Sequence, residues 1–332
     1  MKRLRLGLLV GGLLFWILKG SASGEDLEVL KSIRSSENPV LISEESWENK
    51  GVGDPSIVWD GKLYKMWYTG YPYEEEEHFI ETRIGYAESK DGVNWLKKGI
   101  VLDLGKEGEF DVKGVYGSSV LYDEGNKIYK MWYTGVDGQR ITGIGYAESQ
   151  DGIKWEKKGK VLECKSEGCR VSNPSVIKDG NIYRMWYQTK EGNNLYCVYL
   201  STSDDGVNWF KKSKVFEPGR GNEWDDFCVY EPEIRKIDGI YFLFYMGHGS
   251  NISPSHGRIG LAISKDGIKW ERIGVILDAD KEKSAGMCFS PCVVWEKGLR
   301  LYYGGKREIF SISLAVIENK EIESLLSIAK PE

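Results

Sequence analysis

Two carboxylates at equivalent places in an internal repeat are the side chains of this sequence best suited to acid–base chemistry. Five segments can be aligned, GVGDPSIV, GVYGSSVL, RVSNPSVI, CVYEPEIR and MCFSPCVV. Their variable position, called here the column position, holds Asp54, Gly117, Asn173, Glu231 and Ser290. If the segments begin strands that line one pocket, one carboxyl group can act as an acid and the other as a base or nucleophile. We therefore predict Asp54 and Glu231 as a catalytic pair.

Polar residues around the column positions are predicted to bind the substrate. Asn173, Ser290 and Ser118 belong to the aligned segments, and Tyr230 directly precedes Glu231. The other members of this predicted set are Asp225, Asp226, His248 and Arg258. His248, His256 and Arg258 could alternatively form a cationic phosphate site, and a solvated loop is a third interpretation of that segment.

The composition and the residue spacing also predict which cofactors and macromolecular partners the protein has. It predicts no cofactor, because the spacing of its histidines and cysteines does not match a zinc site, although an acidic axis would suit a structural Ca²⁺. The 332 residues include 45 Lys+Arg and 50 Asp+Glu, a formal net charge of -5. Nucleic-acid binding needs clustered positive charge, so this balance argues against it. We expect a monomer.

Internal repeats indicate which elements position these residues. SKDGVNW, SQDGIKW, SDDGVNW and SKDGIKW recur with their aspartates at 91, 151, 205 and 266. A second series, which includes GKLYKMWYTG and NKIYKMWYTG, occurs five times. Alternating aromatic and β-branched residues between Asp-Gly turns are typical of antiparallel strands and hairpins. The pattern predicts an all-β, five-bladed β-propeller with four antiparallel strands per blade. Because the repeated residues would be scaffold, function should be sought where the copies differ.

The chain ends predict how the ring closes. Four repeats finish with an outer-strand segment, GIVLD, GKVLE, SKVFE and GVILD, but the fifth stops at Ile317 without one. A similar segment, NPVLIS, lies at residues 38–43. We therefore predict one domain, residues 38–317, in which an N-terminal strand completes the last blade and closes the ring, because a half-ring would leave both of its edges exposed.

The flanking segments are predicted to lie outside that domain. Residues 1–23 combine basic residues, a short apolar run and small residues, as in a secretory signal peptide; an uncleaved N-terminal membrane anchor is the alternative. Residues 24–37 are predicted as a linker and 318–332 as a tail with a possible short helix. A secreted or extracytoplasmic location follows.

The six cysteines fit an exported protein, where disulfides persist. Cys164 and Cys169 share one short polar loop and form the most plausible local pair. Cys197 and Cys292 are expected to be buried thiols. The full connectivity stays open, since six cysteines allow 15 pairings.

The repeats and the GDPS, MWYTG, GYAES and DGxxW motifs resemble the five-bladed propeller glycosidases, which include arabinanases, β-xylosidases and invertases, and the related mannoside phosphorylases. Through its repeat pattern, the resemblance covers nearly all of the chain that follows the predicted signal peptide. It implies a base or nucleophile Asp in blade one, a tuning Asp in blade two and an acid Glu in blade three. Asp54 matches the first role by position, whereas Gly117-Ser118 and Asn173-Pro174 depart from the other two.

The incomplete triad leaves Glu231 as the predicted partner of Asp54. In a closed ring of five blades, blade four is as far from blade one as blade three is, so Glu231 could face Asp54 and supply the acid for glycoside cleavage. The sequence thus predicts an exported glycoside hydrolase acting on an oligo- or polysaccharide. The alternatives are a carbohydrate-binding or surface-interaction propeller without catalysis and a mannoside phosphorylase-like enzyme. A sialidase is not expected, because the column contains no arginine.

Overall fold

The described part of the protein is built almost entirely of β-strands. The computed structural model describes residues 32–72, 81–163, 169–190, 196–221, 223–250, 257–278, 287–296, 298–306, 309–318, 323 and 326. Within these ranges the chain forms twenty strands and one short 3₁₀ helix, η1 at Ser46–Glu48. The predicted signal peptide and most of the predicted C-terminal tail lie outside the described residues.

The strands fall into units of four, joined as antiparallel neighbours. Unit 1 contains β2 Gly51–Trp59, β3 Tyr64–Tyr71, β4 Arg83–Ser89 and β5 Leu96–Leu102. Unit 2 contains β6 Gly114–Asp123, β7 Ile128–Val136, β8 Thr142–Ser149 and β9 Glu156–Glu163. Unit 3 contains β10 Arg170–Asp179, β11 Ile182–Lys190, β12 Cys197–Ser203 and β13 Phe210–Phe216. Unit 4 contains β14 Cys228–Ile237, β15 Ile240–His248, β16 Arg258–Ser264 and β17 Glu271–Leu277.

Unit 5 takes its fourth strand from the start of the chain. It contains β18 Cys288–Trp295, β19 Leu299–Lys306, β20 Phe310–Ile317 and β1 Ser32–Arg34. β1 pairs with β20 in antiparallel register, and Leu41 makes a further bridge to Ile312. Units 5 and 1 form one eight-stranded sheet, because Gly51 and Phe310 make a single parallel pair between β2 and β20.

The N-terminal strand begins earlier than the sequence predicts, within the expected linker 24–37. Pro39 has no backbone N–H and cannot donate to a strand ladder. The side chain of Asn38 takes over at this point, since it accepts the N–H of Leu314 at 2.7 Å and donates to the carbonyl of Leu314 at 2.8 Å. The pairing with β20 is therefore split into β1 and the bridge at Leu41.

A belt of hydrogen bonds connects the first strand of each unit to the first strand of the next. The bonds run from Val120 N to Ser56 Oγ (3.0 Å), Val176 N to Ser119 Oγ (3.0 Å), Ile234 N to Ser175 Oγ (2.9 Å) and Val293 N to Glu233 Oε1 (3.1 Å). The Ile57 N–H donates to the thiol sulfur of Cys292. The belt thus passes from β2 through β6, β10, β14 and β18 and returns to β2.

The repeated aromatic residues join neighbouring units. Indole N–H groups donate across unit boundaries to the carbonyls of the Asp-Gly turns, from Trp67 to Gly152 at 2.8 Å, from Trp132 to Gly206 at 2.7 Å and from Trp186 to Gly267 at 3.0 Å. The hydroxyl of Tyr302 donates to the carbonyl of Gly92 in the same way at 2.9 Å. These contacts confirm that the repeated residues are scaffold.

The cysteines divide into bonded and reduced groups. Cys169 is disulfide-bonded, and its predicted partner, Cys164, lies outside the described residues. Cys197, Cys228, Cys288 and Cys292 are thiols. Cys292 is buried, as predicted, whereas Cys197 is only half-buried.

Among the described residues, no helix is long and apolar enough to cross a membrane.

Candidate active site

The five column residues share one unusual backbone conformation. Asp54, Gly117, Asn173, Glu231 and Ser290 have φ angles of 45°, 54°, 49°, 50° and 44°. Each lies where the pairing of the first and second strands of its unit shifts, as in a β-bulge. A left-handed conformation at a residue with a side chain costs about 1–3 kcal/mol, and bulges redirect side chains next to active sites. Four such residues at equivalent places therefore mark this end of the strands as a candidate site.

Asp54 lies deep in this site and is held by three hydroxyl groups. Asp54 exposes only 5 % of its surface to solvent. Tyr71 donates to Oδ2 at 2.6 Å, Ser290 donates to Oδ1, and Thr69 also donates to the carboxylate. Burial raises the pKa of Asp54 above its usual value, while these hydroxyl groups act against that increase. The donors thus stabilise the ionised carboxylate in a site that disfavours charge.

Glu231 lies beside Asp54 and carries the more strongly displaced pKa. The backbone N–H of Ser290 donates to its Oε2 at 2.6 Å. Burial, reinforced by the nearby negative charge of Asp54, raises the pKa of Glu231 to about 8. Ser290 is therefore in contact with both carboxyl groups, through its hydroxyl to Asp54 and through both its N–H and its hydroxyl to Glu231. The structure brings together the two predicted acids and one of the predicted binding residues.

The Glu231 side chain replaces a hydrogen-bond acceptor that the other units provide from their second strands. The N–H groups of Gly117, Asn173 and Glu231 donate to side chains of the preceding unit, respectively Thr69 (3.1 Å), Thr134 (2.9 Å) and Gln188 (2.9 Å). In unit 4 the equivalent position is Met246, opposite Tyr230, and its side chain cannot accept the N–H of Ser290 in this way. The Glu231 carboxyl group supplies the missing acceptor, which fixes its position next to Asp54.

Removal of the Ser290 hydroxyl should raise the pKa of both carboxyl groups. In Ser290→Gly and Ser290→Ala, Asp54 and Glu231 each lose a side-chain hydrogen bond that lowers their pKa, whereas the backbone N–H that binds Glu231 remains. We expect the acidic limb of the pH–rate profile to move upward by about one pH unit, since a hydrogen bond to a charged group is worth about 1.5–3 kcal/mol.

The glycine variant controls for backbone strain, because Gly117 occupies the same conformation in unit 2. Profiles measured from pH 4 to 10 should show the basic limb moving upward as well, but by less, because the N–H of Ser290 still binds Glu231. An acidic limb that does not move in either variant would contradict the assigned role of Ser290.

Tyrosines that the sequence analysis missed surround the acid pair. Tyr71 contacts Asp54, and Tyr116 is close enough for the Asp54 charge to raise its pKa further beyond the effect of burial. Tyr196 packs on Tyr230 with ring centroids 4.9 Å apart. The sequence could have indicated Tyr116, because it directly precedes the column residue Gly117 just as Tyr230 directly precedes Glu231. Aromatic rings of this kind can stack on sugars.

Asn173 and Ser118, two further predicted binding residues, lie at the same end of the strands as the acid pair. Asn173 occupies the third column position, and a Cβ at Gly117 would lie 3.0 Å from its Nδ2. Ser118 is buried, and its hydroxyl has no hydrogen-bond partner in the described part of the chain. Both lie at the column end of the strands, and both stay candidates for substrate contact.

Asp225 and Asp226 hold their own unit together in the structure. Asp225 is 0 % exposed and accepts hydrogen bonds from Tyr245 at 2.8 Å and Arg272 at 3.0 Å. Asp111 is bound in the same way by Tyr133 and Lys157 in unit 2. Asp226 accepts the N–H and hydroxyl of Ser250. These contacts give both residues structural roles, so we do not include them in the proposed sugar site.

His248 and Arg258 do not form the expected cationic cluster in the described part of the site. His248 is 4 % exposed and lies between Phe227 and Tyr230, with centroid distances of 5.0 and 5.9 Å. Burial lowers its pKa, which favours the neutral imidazole. Arg258 pairs with Asp278 at 3.1 Å, and His256 lies outside the described residues. Within the described ranges, no group of three or more His, Cys, Asp or Glu side chains could hold a metal ion.

Comparison with known proteins gives a family and a fold for this arrangement. The model of the glycosyl hydrolases family 32 N-terminal domain matches residues 52–229. A 1,2-beta-oligomannan phosphorylase of Thermoanaerobacter is 27 % identical over 323 residues, which cover 89 % of this chain and 100 % of that protein. A sucrose-6-phosphate hydrolase of Escherichia coli is 24 % identical over 60 % of this chain and 42 % of its own length.

The solved structures agree with this result at the level of the fold. The beta-1,2-mannobiose phosphorylase of Listeria innocua, solved with beta-1,2-mannobiose, has a TM-score of 0.70 and 13 % identity over 90 % of this chain and 99 % of its own. A thermostable family-43 glycoside hydrolase has a TM-score of 0.66 and 16 % identity over 80 % of this chain and 89 % of its own.

Proposed function

The chain belongs to the family of the glycosyl hydrolases family 32 N-terminal domain, and from that premise we propose that it is a glycoside hydrolase in which Glu231 is the acid and Asp54 the base or nucleophile. The observation that carries this proposal is the buried carboxyl pair held by Ser290, in which the pKa of Glu231 is raised to about 8. Two carboxyl groups in unlike environments are the arrangement that glycoside cleavage requires.

The contacts of the pair assign its proton to Glu231. Two carboxylates that lie close together in a buried site hold one proton between them over a wide pH range. Asp54 receives hydrogen bonds from Ser290, Tyr71 and Thr69, all of which favour its charged form. Glu231 accepts hydrogen bonds from Ser290 alone among these donors. At neutral pH, Glu231 can therefore give a proton to the glycosidic oxygen while Asp54 acts on water or on the sugar carbon.

A closed five-bladed ring is part of the same proposal. The hydrogen-bond belt from β2 through β18 and back to β2 supports it, as does the pairing of β1 with β20. Such a ring brings strands that are distant in sequence to one axis, so Asp54 of β2 can meet Glu231 of β14. The ring also leaves only short, protected sheet edges for association, in agreement with the proposed monomer.

Export to an extracytoplasmic compartment is proposed on two grounds. Residues 1–23 have the composition of a secretory signal peptide. The disulfide at Cys169 is of a kind that persists in oxidising compartments.

Phosphorolysis is a second candidate function. The observation that favours it is the match to a 1,2-beta-oligomannan phosphorylase over 89 % of this chain and the whole of that protein. In that case phosphate, instead of water, would attack the sugar while Glu231 kept its role as proton donor.

Turnover on a panel of glycans tests the proposed function. Purified protein is incubated with aryl-glycosides and with β-mannosyl, fructosyl and arabinosyl oligosaccharides, with and without inorganic phosphate. Reducing sugar released without phosphate supports hydrolysis, whereas a sugar 1-phosphate formed only with phosphate supports phosphorolysis. Binding by calorimetry without turnover of any bound glycan would overturn both and leave a carbohydrate-binding propeller.

A further inference from the structure

Two positive side chains lie opposite each other at the column end of unit 3. Arg170 begins β10 and Lys190 ends β11, and the two residues are direct cross-strand partners. Like charges in this arrangement destabilise a sheet. Neither side chain forms an ion pair with a carboxylate in the part of the chain that the structure describes. Among the described residues, therefore, no carboxylate compensates the electrostatic cost that the sheet carries here.

The paired cations occur in unit 3 alone among the five described units. The equivalent pairs are Gly51–Tyr71 in unit 1, Gly114–Val136 in unit 2 and Cys228–His248 in unit 4. In unit 5 the backbone of Lys306 pairs with that of Met287 at this position, so that unit has one cation there. The scaffold thus does not require two positive charges at this place. Because the copies of a repeat differ where they serve function, the two cations of unit 3 call for an external partner.

Both cations lie against Tyr196, which connects them to the acid pair. Arg170 hydrogen-bonds to the Tyr196 hydroxyl, and Lys190 Nζ lies 5.8 Å from the centre of its ring. Tyr196 also packs on Tyr230, the residue before Glu231, which connects it to the site. Arg170 also acts electrostatically on Tyr116, the same phenol that the Asp54 charge affects. The positive charge therefore lies at the rim of the candidate site.

The surroundings of the two cations are anchored to the fold. Cys169, directly before Arg170, is buried and disulfide-bonded. The N–H of Tyr196 donates to the sulfur of Cys228 in unit 4. These links fix the start of β10 and the backbone of Tyr196, so the cations are presented at a defined distance from the acid pair.

We propose that Arg170 and Lys190 form a subsite for an anionic group carried by the glycan, a uronic acid carboxylate or a phosphate ester on a sugar hydroxyl. A guanidinium group binds either anion through paired N–H donors, and an ammonium group adds a second charge. Tyr196 and Tyr230 supply the surface on which the sugar ring bearing the anion lies. The inference rests on the proposed function, because it places the subsite next to Asp54 and Glu231.

Calorimetric binding with matched sugars tests the subsite. The probes are methyl glucuronide against methyl glucoside, mannose 6-phosphate against mannose, and inorganic phosphate alone. The proteins are the wild type, Arg170→Gln, Lys190→Gln and, as a charge-matched control, Lys62→Gln in the exposed β2–β3 turn. We expect at least one acidic sugar to bind about tenfold or more tightly than its neutral counterpart, and either site variant to lose about tenfold or more of that affinity.

The control variant should keep the full preference for the acidic sugar. Thermal stability distinguishes the subsite from a structural role. Lys190→Gln should raise Tm, because it removes a like-charge contact, whereas the loss of a residue that stabilises the fold would lower Tm. Of the two sources, tighter binding of the glucuronide identifies a carboxylate subsite and tighter binding of the sugar phosphate identifies a phosphate-ester subsite.

Several results would overturn the subsite. These are equal affinity for acidic and neutral sugars, a preference that survives in both site variants, or binding of inorganic phosphate without either acidic sugar. Failure of the subsite and failure of the proposed function are distinguishable, because binding is measured without turnover. Glycan cleavage that depends on Glu231 together with no acidic preference would refute only the subsite.

Discussion

Glu231→Gln should lower kcat for unactivated oligosaccharides by about 10²–10⁴-fold, the usual contribution of a positioned general acid. Glutamine keeps the shape of the side chain and can still accept the Ser290 N–H through its amide oxygen, but it has no acidic proton for the leaving oxygen. Aryl-glycosides with acidic phenols need little protonation and should lose much less activity. The measurement is kcat on both substrate classes with the same protein preparation.

The pH profile adds a second expectation to this variant. In the wild type the acid must be protonated, so activity falls as the pH rises through about 8, where Glu231 titrates. Glu231→Gln should lose that basic limb. Glu217→Gln, at an exposed carboxyl just after β13, is the control and should keep both rate and profile. Undiminished oligosaccharide turnover in Glu231→Gln would refute the assignment of the acid.

Asp54→Asn should abolish turnover to a similar or greater extent, because Glu231, the other carboxyl group in contact with Ser290, serves as the acid and cannot also replace the base or nucleophile. The substitution suits the backbone, since asparagine adopts left-handed conformations readily and Asn173 does so at the equivalent place in unit 3. A fall in kcat of about 10³-fold or more is expected. Restoration of rate by azide, together with the anomer of the sugar azide formed, would indicate whether Asp54 acts as nucleophile or as base.

The protonation of Glu231 offers a check on Asp54 that does not depend on activity. Removal of the Asp54 charge takes away one of the two causes that raise the pKa of Glu231, so that pKa should fall below about 8 in Asp54→Asn. Carbon-13 NMR of the glutamate side chains, with Glu231→Gln to assign the signal, measures it directly. An unchanged value would show that the two carboxyl groups do not interact.

The repeat pattern predicts most of the scaffold correctly because its determinants are local. Alternating aromatic residues and Asp-Gly turns fix strands and hairpins within a few residues of each other, and the structure forms strands in all five copies. The left-handed conformation of the column position is also a local feature, since it occurs within the short aligned segment at the start of each unit. These features require no knowledge of distant contacts.

The site was only partly predictable because its determinants are contacts between different strands. Asp54 and Glu231 were identified from the column, but the double contact of Ser290 and the hydrogen bond from Tyr71 depend on how units 5, 1 and 4 meet. Asp225 was included for its position in sequence, yet it is bound by Arg272 of a strand much later in the chain. Arg170 and Lys190 gave no local signal, because their opposition exists only in the paired strands.

The pairing of the N-terminal strand β1 with β20 in unit 5 constrains the order in which the protein can fold during its synthesis. β1 is made first, but its partner β20 ends at Ile317, so a growing polypeptide must keep β1 unpaired through almost the whole of its translation. Units 1 to 4 have all their strands close together in sequence and can form as they emerge from the ribosome. The final closure is therefore a late step with a long loop between the joining segments, and such steps are slow and exposed to aggregation.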